Sequence, residues 1–376
     1  MKNIGIIGSG SFGCALANVL IKNHNVKIWS FKKEESDVIN NEHRCMFIDN
    51  SKLDERIVCY TNYEDVIEDS EYLILVTPSS VIRNTCQNIK KYVTNQKIII
   101  ASKGMEIETN KFLIDIVKEE LDLKYIGVIS GPSIAKEVIN DMGLKVVFAS
   151  NNSDYNNEIK NNFETDKFKI ELSDDVIGTE LGGTLKNIIS IASGLVNGLN
   201  LGNNMNAILI TKGLEEIKKI GLKLGAKEET FYGLSSLGDL LTTCLSNESR
   251  NNRCGILLSQ GKKIDEIKEE IGMVIEGLDA LKIAYNISQK YNINTKISNS
   301  KKRFCPQLQQ FCFFRWKYIP FAVRIPEHPD GFGSRFYCVF MPRNPVPPPR
   351  AAHCRRPNRS ASGGPRPHRP DWRFYS

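Results

Sequence analysis

Ten cysteines are spread along the 376 residues without a C-x-x-C pair or a Cys/His cluster. That pattern argues against a zinc site and a disulfide framework, so no metal is expected and a reducing compartment is the simple reading. No run of about 18 apolar residues occurs, so no membrane-spanning helix is expected. The first strand begins at Lys2, leaving no room for a cleavable targeting peptide. The chain ends in Phe-Tyr-Ser, not in a peroxisomal-type tripeptide. The expectation is a cytoplasmic protein. Histidine is scarce: only His24 and His43 precede residue 300. An enzyme built on this body would have to find its acid–base elsewhere.

Proline is almost missing from the same stretch. Pro78 and Pro132 stand alone there, and the other thirteen of the 15 lie beyond residue 302. Arginine is divided in the same way, with twelve of 17 beyond that point. Those twelve, with Lys317, face only Glu327, Asp330 and Asp371, so residues 303–376 carry +10 of the net +7 and the remainder carries −3. The basic character that suggests a nucleic-acid binder therefore belongs to the end of the chain. "RNPVPPPRAAHCRRPNRSASGGPRPHRP" has too little apolar content for a core. Two readings stay open for residues 300–376: a disordered basic tail able to touch nucleic acid or an acidic membrane, or foreign or out-of-frame coding sequence joined to the body.

In the first half, short β-branched runs alternate with amphipathic stretches. Residues 2–8, 25–30, 71–77, 96–102 and 125–131 read as strands, and 143–150 and 168–173 extend the series. Such alternation predicts a doubly wound parallel sheet. From about Asp174 the apolar spacing becomes three and four, which predicts a mainly helical part. The expected division is a dinucleotide-binding Rossmann domain over 1–177, a helical substrate domain over 178–299 and the tail over 300–376.

"GSGSFG" supplies Gly8, Gly10 and Gly13 as G-x-G-x-x-G between a strand and a helix, a context that makes it a strong dinucleotide fingerprint. Gly8 permits the tight turn, Gly10 lets backbone approach a pyrophosphate, and Gly13 allows close helix–strand packing. The second strand should then end in Asp or Glu to hold the ribose 2′-hydroxyl of NAD. It ends "IWSFKKEE": Ser30 and Phe31 take that place, followed by Lys32 and Lys33. With no carboxylate there, NADP is tolerated; equally, the lysines are simply solvated.

Further stretches carry polar groups at the places where such sheets bind ligands. "IASKGME" puts Lys103 past a buried strand, and "SGPSIAKE" forms a turn at the same edge. "GLSSLGDLLTTC" puts Asp239 in an apolar or small run, and "NESRNNR" groups Ser249, Arg250 and Asn251 as phosphate donors. "ELGGTLKNIISIASG" has an apolar face and a face of Gly183, Lys186, Asn187, Ser190 and Gly194. Against a helix that second face is a packing seam; against a substrate it is a pocket wall with one ammonium. A desolvated lysine with a lowered pKa can serve as acid–base.

Over about residues 2–297 the chain resembles NAD-dependent glycerol-3-phosphate dehydrogenase. The motifs "GIIGSGSFGCALA", "SKGME", "VISGPSIAKE", "GTELGGTLKNIISIASG", "ITKGLEE", "ESRNNR" and "GMVIEGL" carry the resemblance, in that order. It implies a Rossmann domain, a helical C-terminal domain, a homodimer, and reversible hydride transfer between NAD, or NADP, and C2 of glycerol 3-phosphate. It makes Lys186 the acid–base, with Lys103 and Asp239 around the reacting group. Arg250, Asn251 and Ser249 would hold the substrate phosphate, and Gly131, Ser133, Asn187 and Thr243 would line the substrate side. Ser11, Phe12, Phe31, Ala135, Val274 and Glu276 would meet the cofactor, with Lys103 and Arg250 reaching it too. The end of the chain departs from the family pattern. Two alternatives follow: a related Rossmann-plus-helical hydroxyacid dehydrogenase, or a nucleotide-binding protein impaired by its altered C-terminus.

Overall fold

The computed structural model describes residues 1–294; the expectations for residues 300–376 lie outside the described residues. Eight strands form one sheet: β1 (Asn3–Ile7), β2 (Asn25–Trp29), β3 (Val58–Tyr60), β4 (Tyr72–Leu75), β5 (Lys97–Ile100), β6 (Ile126–Ser130), β7 (Leu144–Ala149) and β8 (Phe168–Ser173). Their order is β3-β2-β1-β4-β5-β6-β7-β8. β4 and β5 are rich in Ile and Leu and nearly wholly buried, as strands covered on both faces must be. Apolar clusters fill both faces, one around Leu16, Ile28, Phe148 and Tyr155, the other around Leu75, Ile98 and Val117.

Two features differ from the sequence reading. β3 was not expected; it is three residues at the sheet edge, too short for an alternating pattern to show. β7 also runs antiparallel to β6, with Ile129 opposite Phe148. The connection between them holds only the five-residue helix Ala135–Ile139 and turns at Asp141, with φ 62°. That is too little helix to cover the sheet and return the chain in parallel. The other strand pairs are parallel.

The sheet reverses its winding at β1, which has β2 on one side and β4 on the other. Open sheets of this kind bind ligands at the carboxyl end of such a strand. Gly8 begins the loop there, with φ 129°, and a Cβ on it would meet the backbone of Val76 at 3.1 Å. A Cβ on Gly13 would lie 2.0 Å from the Gly8 carbonyl oxygen, so the helix Ser11–Leu20 can begin this close to the loop only with glycine there.

Beyond β8 the chain is helical. The helix Val176–Gly198 is buried over nearly its whole length and is capped by Asp175, whose Oδ1 accepts from the Gly178 N–H at 2.9 Å. Asp175 Oδ2 also accepts from Lys227 N and Thr230 Oγ1 (2.8 and 2.6 Å), so one carboxylate ties the helix start to the segment after the helix Asn203–Lys223. The apolar face, with Leu185, Ile189 and Ala192, packs into a cluster with Ile217, Leu240 and Ile283.

Candidate active site

The small face of the helix Val176–Gly198 has two different surroundings along its length. Its C-terminal half is a packing seam: a Cβ on Gly194 would lie 2.0 Å from the Asn252 carbonyl oxygen, and one on Gly255 would lie 1.9 Å from that of Ile191. The helix Arg250–Ser259 is locked against it there. About three turns earlier the same face turns toward the sheet. A Cβ on Gly183 would meet Ser130 Oγ at 2.9 Å and the Lys103 side chain at 3.8 Å.

Lys186 stands where seam gives way to site. Its ammonium donates to Asp239 Oδ1 and to Thr243 Oγ1, the latter at 2.8 Å. Lys103, entering from the end of β5, donates to the other Asp239 oxygen at 2.7 Å. It also lies 3.1 Å from the Gly131 carbonyl oxygen and 3.3 Å from Ser133 Oγ. Two ammoniums thus share one carboxylate that is only 2% exposed. Burial pulls the Lys186 pKa down to about 8; the Asp239 charge opposes that fall and the Lys103 charge adds to it.

A chain of amides continues from Lys186. Asn187 donates to Glu276 Oε2 at 3.1 Å and accepts from Asn251 at 2.9 Å, and Asn251 Oδ1 accepts from the Gly277 N–H at 3.0 Å. Ser190 Oγ lies 3.1 Å from Ser249 Oγ, which caps the helix that Arg250 opens. Eleven of the expected site residues therefore meet through hydrogen bonds or chain adjacency: Lys103, Gly131, Ser133, Lys186, Asn187, Asp239, Thr243, Asn251, Ser249, Arg250 and Glu276.

The glycine loop, with Gly8 and Gly10, follows β1 at the carboxyl edge of the sheet. The loop after β4 touches Gly8 and is tied to the Lys103 segment by Ser102 Oγ, which donates to the Thr77 carbonyl. A Cβ at Gly10 would meet nothing within 4 Å, so this part of the loop is open to close approach by a ligand. Ser11 and Phe12 open a helix whose first N–H groups suit phosphate oxygens. These features fit a dinucleotide. Phe31 is 83% exposed after β2, Ala135 opens the helix Ala135–Ile139, and Val274 is exposed before the helix Glu276–Lys290. Among the described residues no group of three metal-ligating side chains occurs, and no helix is long and apolar enough to cross a membrane.

Sequence reasoning missed two features. A carboxylate does reach the carboxyl edge of β2, contrary to expectation: Glu35, from the first turn of the helix Lys33–Glu42, accepts from Ser9 Oγ at 2.5 Å. The expected place was the strand end itself, and the reach of a helical side chain back to it leaves no strand-end signature. The second is Glu180, buried beside Lys103, Ser130 and Thr179 around a small cavity. Burial pushes its pKa up to about 8.

Comparison with known proteins bears on this arrangement. Residues 3–156 match the family model for the N-terminus of NAD-dependent glycerol-3-phosphate dehydrogenase, and residues 175–310 match the model for its C-terminus. Over 302 residues the chain is 40% identical to glycerol-3-phosphate dehydrogenase [NAD(P)+] of Clostridium botulinum, covering 80% of this chain and 91% of that relative. The chain belongs to the NAD-dependent glycerol-3-phosphate dehydrogenase family. The family enzyme of Fusobacterium nucleatum is 41% identical over 302 residues, covering 79% of this chain and 90% of its own length. A crystal structure of glycerol-3-phosphate dehydrogenase from Coxiella burnetii superposes with a TM-score of 0.76 at 34% identity, covering 80% of this chain and 93% of that one. The C-terminal family match ends at residue 310, past the position where composition sets the start of the tail.

Proposed function

We propose that this chain is an NAD(P)-dependent glycerol-3-phosphate dehydrogenase that interconverts sn-glycerol 3-phosphate and dihydroxyacetone phosphate. The observation that carries the reading is the pair of ammoniums, Lys186 and Lys103, converging on the buried Asp239. The dinucleotide, when bound, supplies or accepts the hydride at C2. Lys186 gives a proton to the C2 oxygen in reduction and takes it back in oxidation. Its pKa of about 8 suits both directions near neutral pH.

Asp239 holds both ammoniums in place and keeps Lys186 from losing its proton altogether. With two positive charges against one negative, the cluster stabilises an oxygen that gains charge beside it. Lys103, anchored at Gly131 and Ser133, fixes the second ammonium. Arg250, Asn251 and Ser249 bind the substrate phosphate, and Asn187 and Thr243 orient the groups beside Lys186. Gly8, Gly10, Ser11, Phe12 and Gly13 hold the pyrophosphate, with Phe31, Ala135, Val274 and Glu276 as further cofactor contacts. The sheet and the helices after residue 177 act as nucleotide and substrate domains, the protein works as a cytoplasmic homodimer, and residues 300–376 stand apart from catalysis.

The test is nicotinamide oxidation by the full chain with dihydroxyacetone phosphate and NADH. Turnover is expected, and Lys186→Ala should lower kcat by roughly 100-fold or more, as loss of an acid–base does, while NADH binding persists. Near-native kcat in that variant would remove Lys186 from the chemistry. NADH binding without turnover in the native chain would leave a nucleotide-binding shell instead.

A further inference from the structure

The carboxyl edge of β2 holds a carboxylate that the strand itself lacks. Glu35 Oε2 accepts from Ser9 Oγ at 2.5 Å and lies 3.2 Å from Ser30 Oγ. Ser9 is the residue between Gly8 and Gly10, and Ser30 is the first residue after β2; both are buried, with their hydroxyl oxygens 2.8 Å apart. Ser30 Oγ is fixed in turn by the Lys32 backbone, 3.0 Å from its carbonyl oxygen and 3.3 Å from its nitrogen. Two buried hydroxyls therefore pin one oxygen of Glu35 against the glycine loop. The other, Oε1, makes no hydrogen bond among the described residues and keeps its capacity to accept.

This position has a meaning in the fold. The pyrophosphate of a dinucleotide lies on the glycine loop, and the adenosine ribose extends toward the strand beside β1, where an acidic side chain accepts from its 2′-hydroxyl. β2 is that strand. An acid is normally sought about 20 residues past the glycines. Here the strand end itself offers Ser30, Phe31 and two lysines, and the acid, 22 residues past Gly13, comes from the first turn of the next helix.

We propose that Glu35 is the residue that selects NAD(H) over NADP(H), by accepting from the ribose 2′-hydroxyl and repelling a 2′-phosphate. The inference rests on the reading of this chain as a nicotinamide-dinucleotide enzyme. Lys32 and Lys33 oppose the selection, since they favour a 2′-phosphate. Both are exposed, so water and salt screen their charges. Glu35 is half-buried and held at the loop itself, so its charge acts on the ribose at short range and with less screening.

The experiment measures dissociation constants of the full chain for NADH and NADPH by fluorescence titration, for the native protein, Glu35→Gln and Glu35→Asp. The native chain should prefer NADH by roughly tenfold or more, since one partly screened like charge at close range is enough for that. Glu35→Gln should abolish most of the preference by tightening NADPH, whereas Glu35→Asp, which keeps the charge, should retain it. Equal affinity of the native chain for both dinucleotides would overturn the proposal. So would equal weakening of both in Glu35→Gln, because the residue would then only hold the loop, and so would loss of discrimination in Glu35→Asp. If the native chain bound neither dinucleotide, the dehydrogenase reading itself would fail, a result separable from the other three.

Discussion

Lys186 illustrates how one residue's chemistry is set by its neighbours. Burial disfavours its charge, Asp239 restores part of it, and the outcome is a pKa of about 8 instead of 10.5. The pH dependence follows with a definite sign. In the role proposed for Lys186, oxidation needs the neutral amine to receive a proton, so its kcat/KM should rise as pH climbs through about 8. Reduction needs the ammonium and should fall over the same range. Asp239→Asn removes the charge that holds the pKa up, so both limbs should move to lower pH; pH–rate profiles in the two directions check this. Arg250 belongs to the same scale. It opens the helix Arg250–Ser259 next to Asn251, and a guanidinium can grip a phosphate through two parallel hydrogen bonds. Arg250→Ala should raise KM for the phosphorylated substrate by roughly tenfold or more, the worth of a charge-assisted hydrogen bond. Steady-state kinetics showing an unchanged KM would move the phosphate elsewhere.

Among the elements, the helix Val176–Gly198 carries a liability that yields its own prediction. Glu180 is buried beneath the site; Oε1 accepts from the Ile114 N–H at 3.3 Å, and Oε2 has no hydrogen-bond partner among the described residues. Burial raises its pKa from 4.5 to about 8. A raised folded-state pKa means the folded chain holds a proton that the unfolded chain has lost. This contribution is complete below about 4.5 and disappears as pH climbs to about 8, on the order of 5 kcal/mol at most. Glu180→Gln does not ionise. Its Tm should therefore gain on that of the native chain as pH goes from 5 to 8, and thermal melts across this window that run parallel would contradict the argument. Most elements could be read from their local sequence: seven strands, the glycine loop and the long helix all have periods or boundaries that local residues impose. β3 and the antiparallel β6–β7 pair could not be. Edge pairing and strand direction depend on where a distant segment lies and on how much chain connects the strands.

At the scale of the whole molecule, charge separates two regions that differ in composition. The first 302 residues carry −3 and residues 303–376 carry +10. If the tail binds polyanions, the full chain should bind nucleic acid or acidic vesicles with an affinity that falls steeply as salt rises, and a chain ending at Asn299 should not. Binding that survives in the shortened chain would place the contact in the body instead. The proposed homodimer belongs to the same scale: light scattering on the full chain should give twice the mass of one chain, and the mass of a single chain would refute it.

What this sequence determined by itself was the kind of site. Glycine spacing, a lysine in an apolar helix, a Ser-Arg-Asn group and the motifs in their order depend on residues close in the chain, and local sequence fixes them. What the tertiary structure decided was which groups share a space. Asp239 meets Lys103 and Lys186 across 136 and 53 residues. Asn187, Asn251 and Glu276 join from three helices. Glu35 returns to a strand edge where the linear sequence shows only serine, phenylalanine and lysine. Charges act through distance and burial, and neither is set until the sheet and helices have packed.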